Sequence, residues 1–212
     1  MKVSDLTNFR VEDLLYPEST LTFILESPHT KEVEIGYPAA GDTGINMSRV
    51  LLNRDEPIGF LLKNHADLPN VISLLNCSRL PLQESCYGDL KLKSNFIDFL
   101  EIHKQNDKLV SNLKSKIKSI LDTPVGSKSV SNFKIRLQEH LANSQNTKIV
   151  VCGVIAQCFF EKAISKQFRL HRPESVKWGS FSFYVFYEYH PSSTARRWTN
   201  ISNMSELLGY VS

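Results

Sequence analysis

The sequence predicts an α/β protein: a three-layer α/β/α sandwich around a central, mostly parallel four-stranded sheet. Three observations carry that expectation. Four short apolar runs have the length and composition of strands buried on both faces. Stretches of helical period lie between them, and such alternation builds a parallel sheet. With 212 residues, 42% hydrophobic and 22% charged, the chain can fill one α/β core, so residues 1–212 are expected to form a single domain.

The first run is Leu21 to Glu26 (LTFILE), and Ser48 to Leu52 begins a helical pattern after it. The second run is Val71 to Asn76 (VISLLN). Asn95 to Leu121 is a long, Lys-rich amphipathic stretch, read as two helices, and Phe133 to Asn143 is a further helical segment. The third run, Lys148 to Gly153 (KIVVCG), leads into a helix over Ile155 to Lys166. The fourth is Phe181 to Tyr189 (FSFYVFYEY).

Composition narrows the function classes. A formal net charge of +3 permits nucleic-acid binding without arguing for it. No pair of the four cysteines has C-x-x-C spacing, which speaks against a zinc or iron–sulfur site and against a disulfide framework. The segment from Met1 to Glu18 lacks the apolar stretch of a signal peptide, and no run approaches a membrane span. The expectation is a soluble, cytoplasmic, monomeric protein that needs neither a metal nor another cofactor.

In parallel α/β sheets, ligands bind beyond the carboxyl ends of the strands. Those positions hold Glu26-Ser27-Pro28-His29, Asn76-Cys77-Ser78-Arg79, Gly153-Val154 and His190-Pro191-Ser192-Ser193. Three of the four carry groups that chemistry needs. Each also has a plainer reading. Glu26 could be a solvated strand-end carboxylate, Glu32 a surface residue, Asn76 a turn residue and His190 an ordered loop histidine. The lysines from Lys91 to Lys118 read first as a solvated helix face and second as a DNA contact.

The segment ESPHTKEVEIGYPAAGDTG (Glu26 to Gly44) resembles the first motif of the thermophilic-type (family 4) uracil-DNA glycosylases, roughly G-E-A-P-G-x-x-E-D-x-x-G-x-P-F-x-G-x-x-G. Glu26, Pro28, Glu32, Gly36, Pro38, Gly41 and Gly44 fall in register. Asn76 resembles the asparagine of that superfamily's L-L-N strand end. VVCGVIAQ (Val150 to Gln157) resembles its V-L-G-x-x-A-Q element, and HPSS (His190 to Ser193) its H-P-S motif. The four elements share order and spacing with the superfamily and span most of the chain. The resemblance implies a uracil-DNA glycosylase-like fold, DNA as partner, base flipping, and hydrolysis of an N-glycosidic bond to leave an abasic site.

It also implies roles. Glu26, supported by Glu32, would stabilise the sugar cation or orient water, with the choice of main carboxylate left open. His190 would donate to the departing base. Asn76 would read a pyrimidine edge, with His29, Tyr37 and Ala39 around the base. Ser192 and Ser193 would grip phosphate, and Arg196 and Arg197 would meet the DNA backbone or fill the emptied stack.

The chain departs from the pattern in ways that bear on substrate. It lacks the ligand cysteines of the iron–sulfur members, so no cluster is expected. Ala39 stands where the family has a stacking phenylalanine, and His29 where uracil enzymes have glycine or a tyrosine that excludes C5 substituents. Thr194 stands at the wedge position, with Trp198 following the arginines. A pocket without the large ring suggests a bulky C5-modified cytosine, such as the glucosylated hydroxymethylcytosine of phage DNA, and a role in antiviral defence. The alternatives are a uracil or mismatch repair glycosylase, a silent member that only binds DNA or a partner, and a hydrolase of free nucleotides. The last fits least, because the chain has no Walker-type loop.

Overall fold

In the computed structural model, which describes residues 3–65, 68, 71–144 and 148–192, a five-stranded sheet forms the centre of the chain. Its strands are β1 (Leu21–Leu25), β2 (Ile72–Asn76), β3 (Lys148–Cys152), β4 (Glu174–Trp178) and β5 (Phe181–Glu188), in the order β2-β1-β3-β5-β4. The four apolar runs of the sequence are the four mutually parallel strands. The fifth, β4, pairs antiparallel with β5 through a tight turn at Gly179–Ser180 and corrects the expected count of four. It escapes an apolar-run search because it is an edge strand. Only Val176 of its five residues is buried, and Glu174 and Lys177 give it the charged character that protects a sheet edge from further pairing.

Seven α-helices lie among the described residues: α1 (Thr30–Ile35), α2 (Asp42–Leu52), α3 (Ile58–Asn64), α4 (Ser94–Lys104), α5 (Val110–Leu121), α6 (Pro124–Asn143) and α7 (Val154–Ile164). Side chains alternate across each central strand. Leu21, Phe23 and Leu25 of β1 join Ile72, Leu74 and Val150 in a cluster with Met47, Leu51, Ile58 and Leu62 of α2 and α3. Ile24, Leu75, Val151 and Tyr187 point into the other cluster, with Phe99, Ile117, Phe133 and Phe159 of α4 to α7. Helices therefore cover both faces of the sheet. Burying one such Phe or Leu contributes about 1.5–3 kcal/mol. Among the described residues, no helix is long and apolar enough to cross a membrane.

Ser48 to Leu52 ends a helix rather than beginning one, since α2 already starts at Asp42. The glycines that resemble a loop motif conceal this start. Gly44 sits inside α2 because a Cβ there would overlap the Ala39 carbonyl, so the residue reflects close packing rather than a turn.

The strand order matters for function. The chain passes from β1 to β2 on one side, then returns to place β3 on the other side of β1. The crevice beyond β1 and β3 is thus the topological switch point of the sheet. The carboxyl end of β2 is fastened by a buried ionic network. Asp13 accepts from the Asn76 N–H (3.0 Å) and pairs with Arg79 and Arg136. Arg136 also donates to the carbonyls of Asn76 and Cys77, at 2.9 Å each.

Candidate active site

Glu26, Gly153 and His190 follow the adjacent strands β1, β3 and β5, so the sheet itself brings them side by side. Gly153 adopts φ +90° and ψ 157° as the N-cap of α7, a backbone state that favours glycine. A Cβ at 153 would overlap Glu26 Oε1 and lie 3.2 Å from His190 Cβ. The missing side chain is what lets the carboxylate and the histidine close over this point. Glu26 and His190 both line a cleft of about 830 Å³, together with His29, Lys31, Glu32, Ala40, Gln83, His103 and Ser192.

Electrostatics tune these groups in opposite directions. Burial raises the Glu26 carboxyl to about 7, against the opposing pull of the Ile155 N–H at the start of α7 and of nearby His29. Burial alone lowers His190 to about 4, leaving a neutral imidazole at physiological pH. His29 is lowered by burial first and by His190 second, while its hydrogen bond to Gln83 and the charge of Glu26 act the other way. His103 is lowered by burial and by the other two histidines. At neutral pH the cleft therefore sets neutral imidazoles beside a carboxylate poised between its two states.

Glu32 has a different environment. Its carboxylate accepts the His29 N–H (2.6 Å), capping α1, and the Ala39 N–H, pinning the loop after α1. Burial raises it to about 7 in spite of these two bonds. Both oxygens are thus already engaged by backbone, although the residue borders the cleft.

The remaining sequence candidates are distributed unevenly. His29 and Ser192 line the cleft. Ala39 does not: it is fully buried with φ +51° and packs in the core beside Met47 and Ile58, while its neighbour Ala40 faces the cleft. Tyr37 is also absent from the lining and packs on α3, with Lys63 Nζ 5.2 Å from its ring centre. Asn76 is buried at the end of β2, and neither atom of its amide finds a hydrogen-bond partner among the described residues. It does not line the cleft, so the expected trio of Glu26, Asn76 and His190 is brought together only as the pair Glu26 and His190. Ser193, Arg196 and Arg197, with Thr194 and Trp198, lie outside the described residues.

Gln83 and His103 are among the cleft residues that were not apparent from sequence. His103 comes from the last turn of α4, and Gln83 from the loop before a short 3-10 turn at Glu84–Tyr87. Their side chains are 2.8 Å apart, and the His103 ring meets His29 edge-on at 6.4 Å. Neither belongs to a strand end or a motif, so spacing could not single them out. Of the lysines between Lys91 and Lys118, Lys104, Lys114, Lys116 and Lys118 are held in ion pairs with acidic neighbours. Among the described residues, no group of three or more His, Cys, Asp or Glu side chains converges as metal ligands would.

Neither a protein-family model nor a curated relative matches this chain.

Proposed function

We propose that this protein is a DNA glycosylase with a uracil-DNA glycosylase-like fold, which takes a flipped pyrimidine into the cleft and hydrolyses its N-glycosidic bond. The observation that carries the proposal is the convergence of Glu26 and His190 over Gly153 at the switch point of the sheet. Cleavage of this bond develops positive charge on the sugar and negative charge on the base. Glu26, ionised, faces the cation and takes a proton from the attacking water. The water oxygen bonds to C1′ as the C1′–N bond breaks. His190, neutral, donates an N–H to the oxygen of the departing base. A carboxyl near pKa 7 suits a base working at neutral pH, and a histidine near pKa 4 suits a donor that must not carry charge before the reaction.

Glu26 is the main carboxylate in this account, because Glu32 already serves two backbone N–H groups. Ser192 would meet a phosphate beside the flipped nucleotide. The unpartnered Asn76 amide is a group that a pyrimidine edge would satisfy.

For substrate we favour a bulky C5-modified cytosine, as in modified phage DNA. The support is a cleft of a size that holds a drug-sized ligand, with the small Ala40 on its wall. A uracil or mismatch repair enzyme is the second reading, favoured by Asn76, whose amide can read uracil as well as cytosine. Duplexes carrying uracil, hydroxymethylcytosine or its glucosylated form, treated with protein and then alkali, separate these. Strand breaks in the glucosylated duplex first support the favoured reading. Breaks confined to uracil support the second, and none in any duplex rejects both.

A further inference from the structure

The cleft does not end at the Gln83–His103 pair. A second cavity of about 510 Å³ lies beyond it, lined by Leu82, Gln83, Glu84, Ser85, Leu100, His103 and Lys104. The two cavities share Gln83 and His103 and no other residue. We propose that this second cavity is a subsite for a neutral, hydroxyl-rich substituent carried by the substrate base, and that Gln83 and His103 are its selecting residues. The inference deepens the glycosylase reading and rests on it for the identity of the base.

The lining chemistry points to the ligand class. An amide, an imidazole, a hydroxyl, a carboxylate and an ammonium line the space, so it offers both donors and acceptors. Leu82 and Leu100 supply an apolar floor. Sugars present the matching surface, with hydroxyls that both donate and accept around a C–H face. An anion fits poorly. The one lysine, Lys104, is already paired with Glu101 at 2.7 Å and Glu84 at 3.5 Å, which leaves no net positive charge for phosphate. Partial desolvation and the His29 and His190 neighbours lower the His103 imidazole, which works against a cation there.

The partition is suited to opening. Gln83 and His103 are joined by a single hydrogen bond of 2.8 Å near the surface. New hydrogen bonds to a sugar replace a bond of that kind. Gln83 lines the first cleft with His29 and the second cavity with His103, so the same side chain touches both spaces. The turn that carries Gln83 is tied to the strand-end loop of Glu26 by the bond from the Leu82 N–H to Ser27 Oγ (3.3 Å). A substituent seated in the second cavity is thereby registered against the reacting centre.

Two measurements test this on the full chain. In the first, methyl glucoside is titrated into the protein while the imidazole signals of His29 and His103 are followed by NMR, with inorganic phosphate in a parallel titration. Saturable, millimolar shifts at His103 with the glucoside, and none with phosphate, are expected. Shifts with phosphate alone, or none with glucoside, overturn the subsite. In the second, single-turnover excision is compared for glucosylated and plain hydroxymethylcytosine. The double variant Gln83→Ala/His103→Ala should lower the ratio of the two by roughly 10-fold, the scale of one or two lost hydrogen bonds. An unchanged ratio overturns the selecting role. No excision of any base by the wild type, with the glucoside shifts intact, would reject the glycosylase reading and leave the sugar subsite standing.

Discussion

Glu26 occupies the space that a side chain on Gly153 would need. The carboxylate rests against the Gly153 backbone, at the N-terminus of α7, and His190 closes the same point from β5. Gly153→Ala should therefore injure the site in two ways. It forces an alanine into φ +90°, at a cost of about 1–3 kcal/mol, and it drives Glu26 from its seat. A displacement of this kind can cost about 10²-fold in rate. Thermal unfolding and single-turnover excision should both register the change, and a variant with wild-type rate would show that this close approach is unimportant.

The pH dependence should separate Glu26 from His190. If Glu26 acts in its ionised form, the rate rises through pH 6–8 and levels off above the carboxyl's value of about 7. His190, titrating near 4, contributes no limb in that window. Stability should move the other way for Glu26. Its folded value lies above the ordinary 4.5, so the folded state holds the proton more tightly. Its stabilising effect is full below about 4.5 and is lost as pH rises through about 7. Glu26→Gln should consequently melt above the wild type at pH 8, with the gap closing at pH 4. For His190, lowered from 6.5, the contribution is present above 6.5 and lost as pH falls through about 4. Melting curves from pH 4 to 8 check both signs.

Glu32 should behave as a structural carboxylate. Glu32→Ala leaves the N–H groups of His29 and Ala39 without their acceptor. One such unsatisfied buried group costs about 1–3 kcal/mol, which is several degrees of Tm in a chain of this size. Equal melting of Glu32→Ala and wild type would return Glu32 to the list of groups held for chemistry.

Ala39 and Ala40 give a paired test of the pocket. Ala39 is fully buried at φ +51°, so Ala39→Phe should overpack the core beside Met47 and cost about 1–3 kcal/mol or more without reshaping the cleft. Ala40→Phe places the ring at the cleft wall. It should narrow any preference for a bulky base over uracil by about 10-fold, within the range expected for a pocket steric change. A larger shift in preference from Ala39→Phe than from Ala40→Phe would contradict the assignment.

The sequence was most informative where burial is complete. LTFILE, VISLLN and KIVVCG are apolar because both faces of their strands are covered, and the positions after them become strand ends of known polarity. Glu26 and His190 were legible for that reason. Other features depended on tertiary packing that leaves little local trace. β4 alternates weakly and lies at an edge. Gly44 marks a crossing of helix and loop rather than a turn. That Ala40 and not Ala39 lines the cleft turns on one positive φ. His103 reaches the cleft only because α4 packs beside the loop that carries Gln83. Asn76 likewise stays out of the cleft lining, at the end of a strand whose backbone Asp13 and Arg136 hold.

The most direct test of the central claim is single-turnover base excision by wild type, Glu26→Gln and His190→Ala, on duplexes carrying uracil, hydroxymethylcytosine and glucosylated hydroxymethylcytosine. The account predicts alkali-labile abasic sites with wild type on at least one duplex. It predicts a rate lowered roughly 10²–10⁴-fold by each substitution, as for loss of an acid–base group or an anion-stabilising donor, with DNA binding largely retained. Wild-type rates in Glu26→Gln, or no abasic sites from the wild-type protein on any of the three, would contradict it.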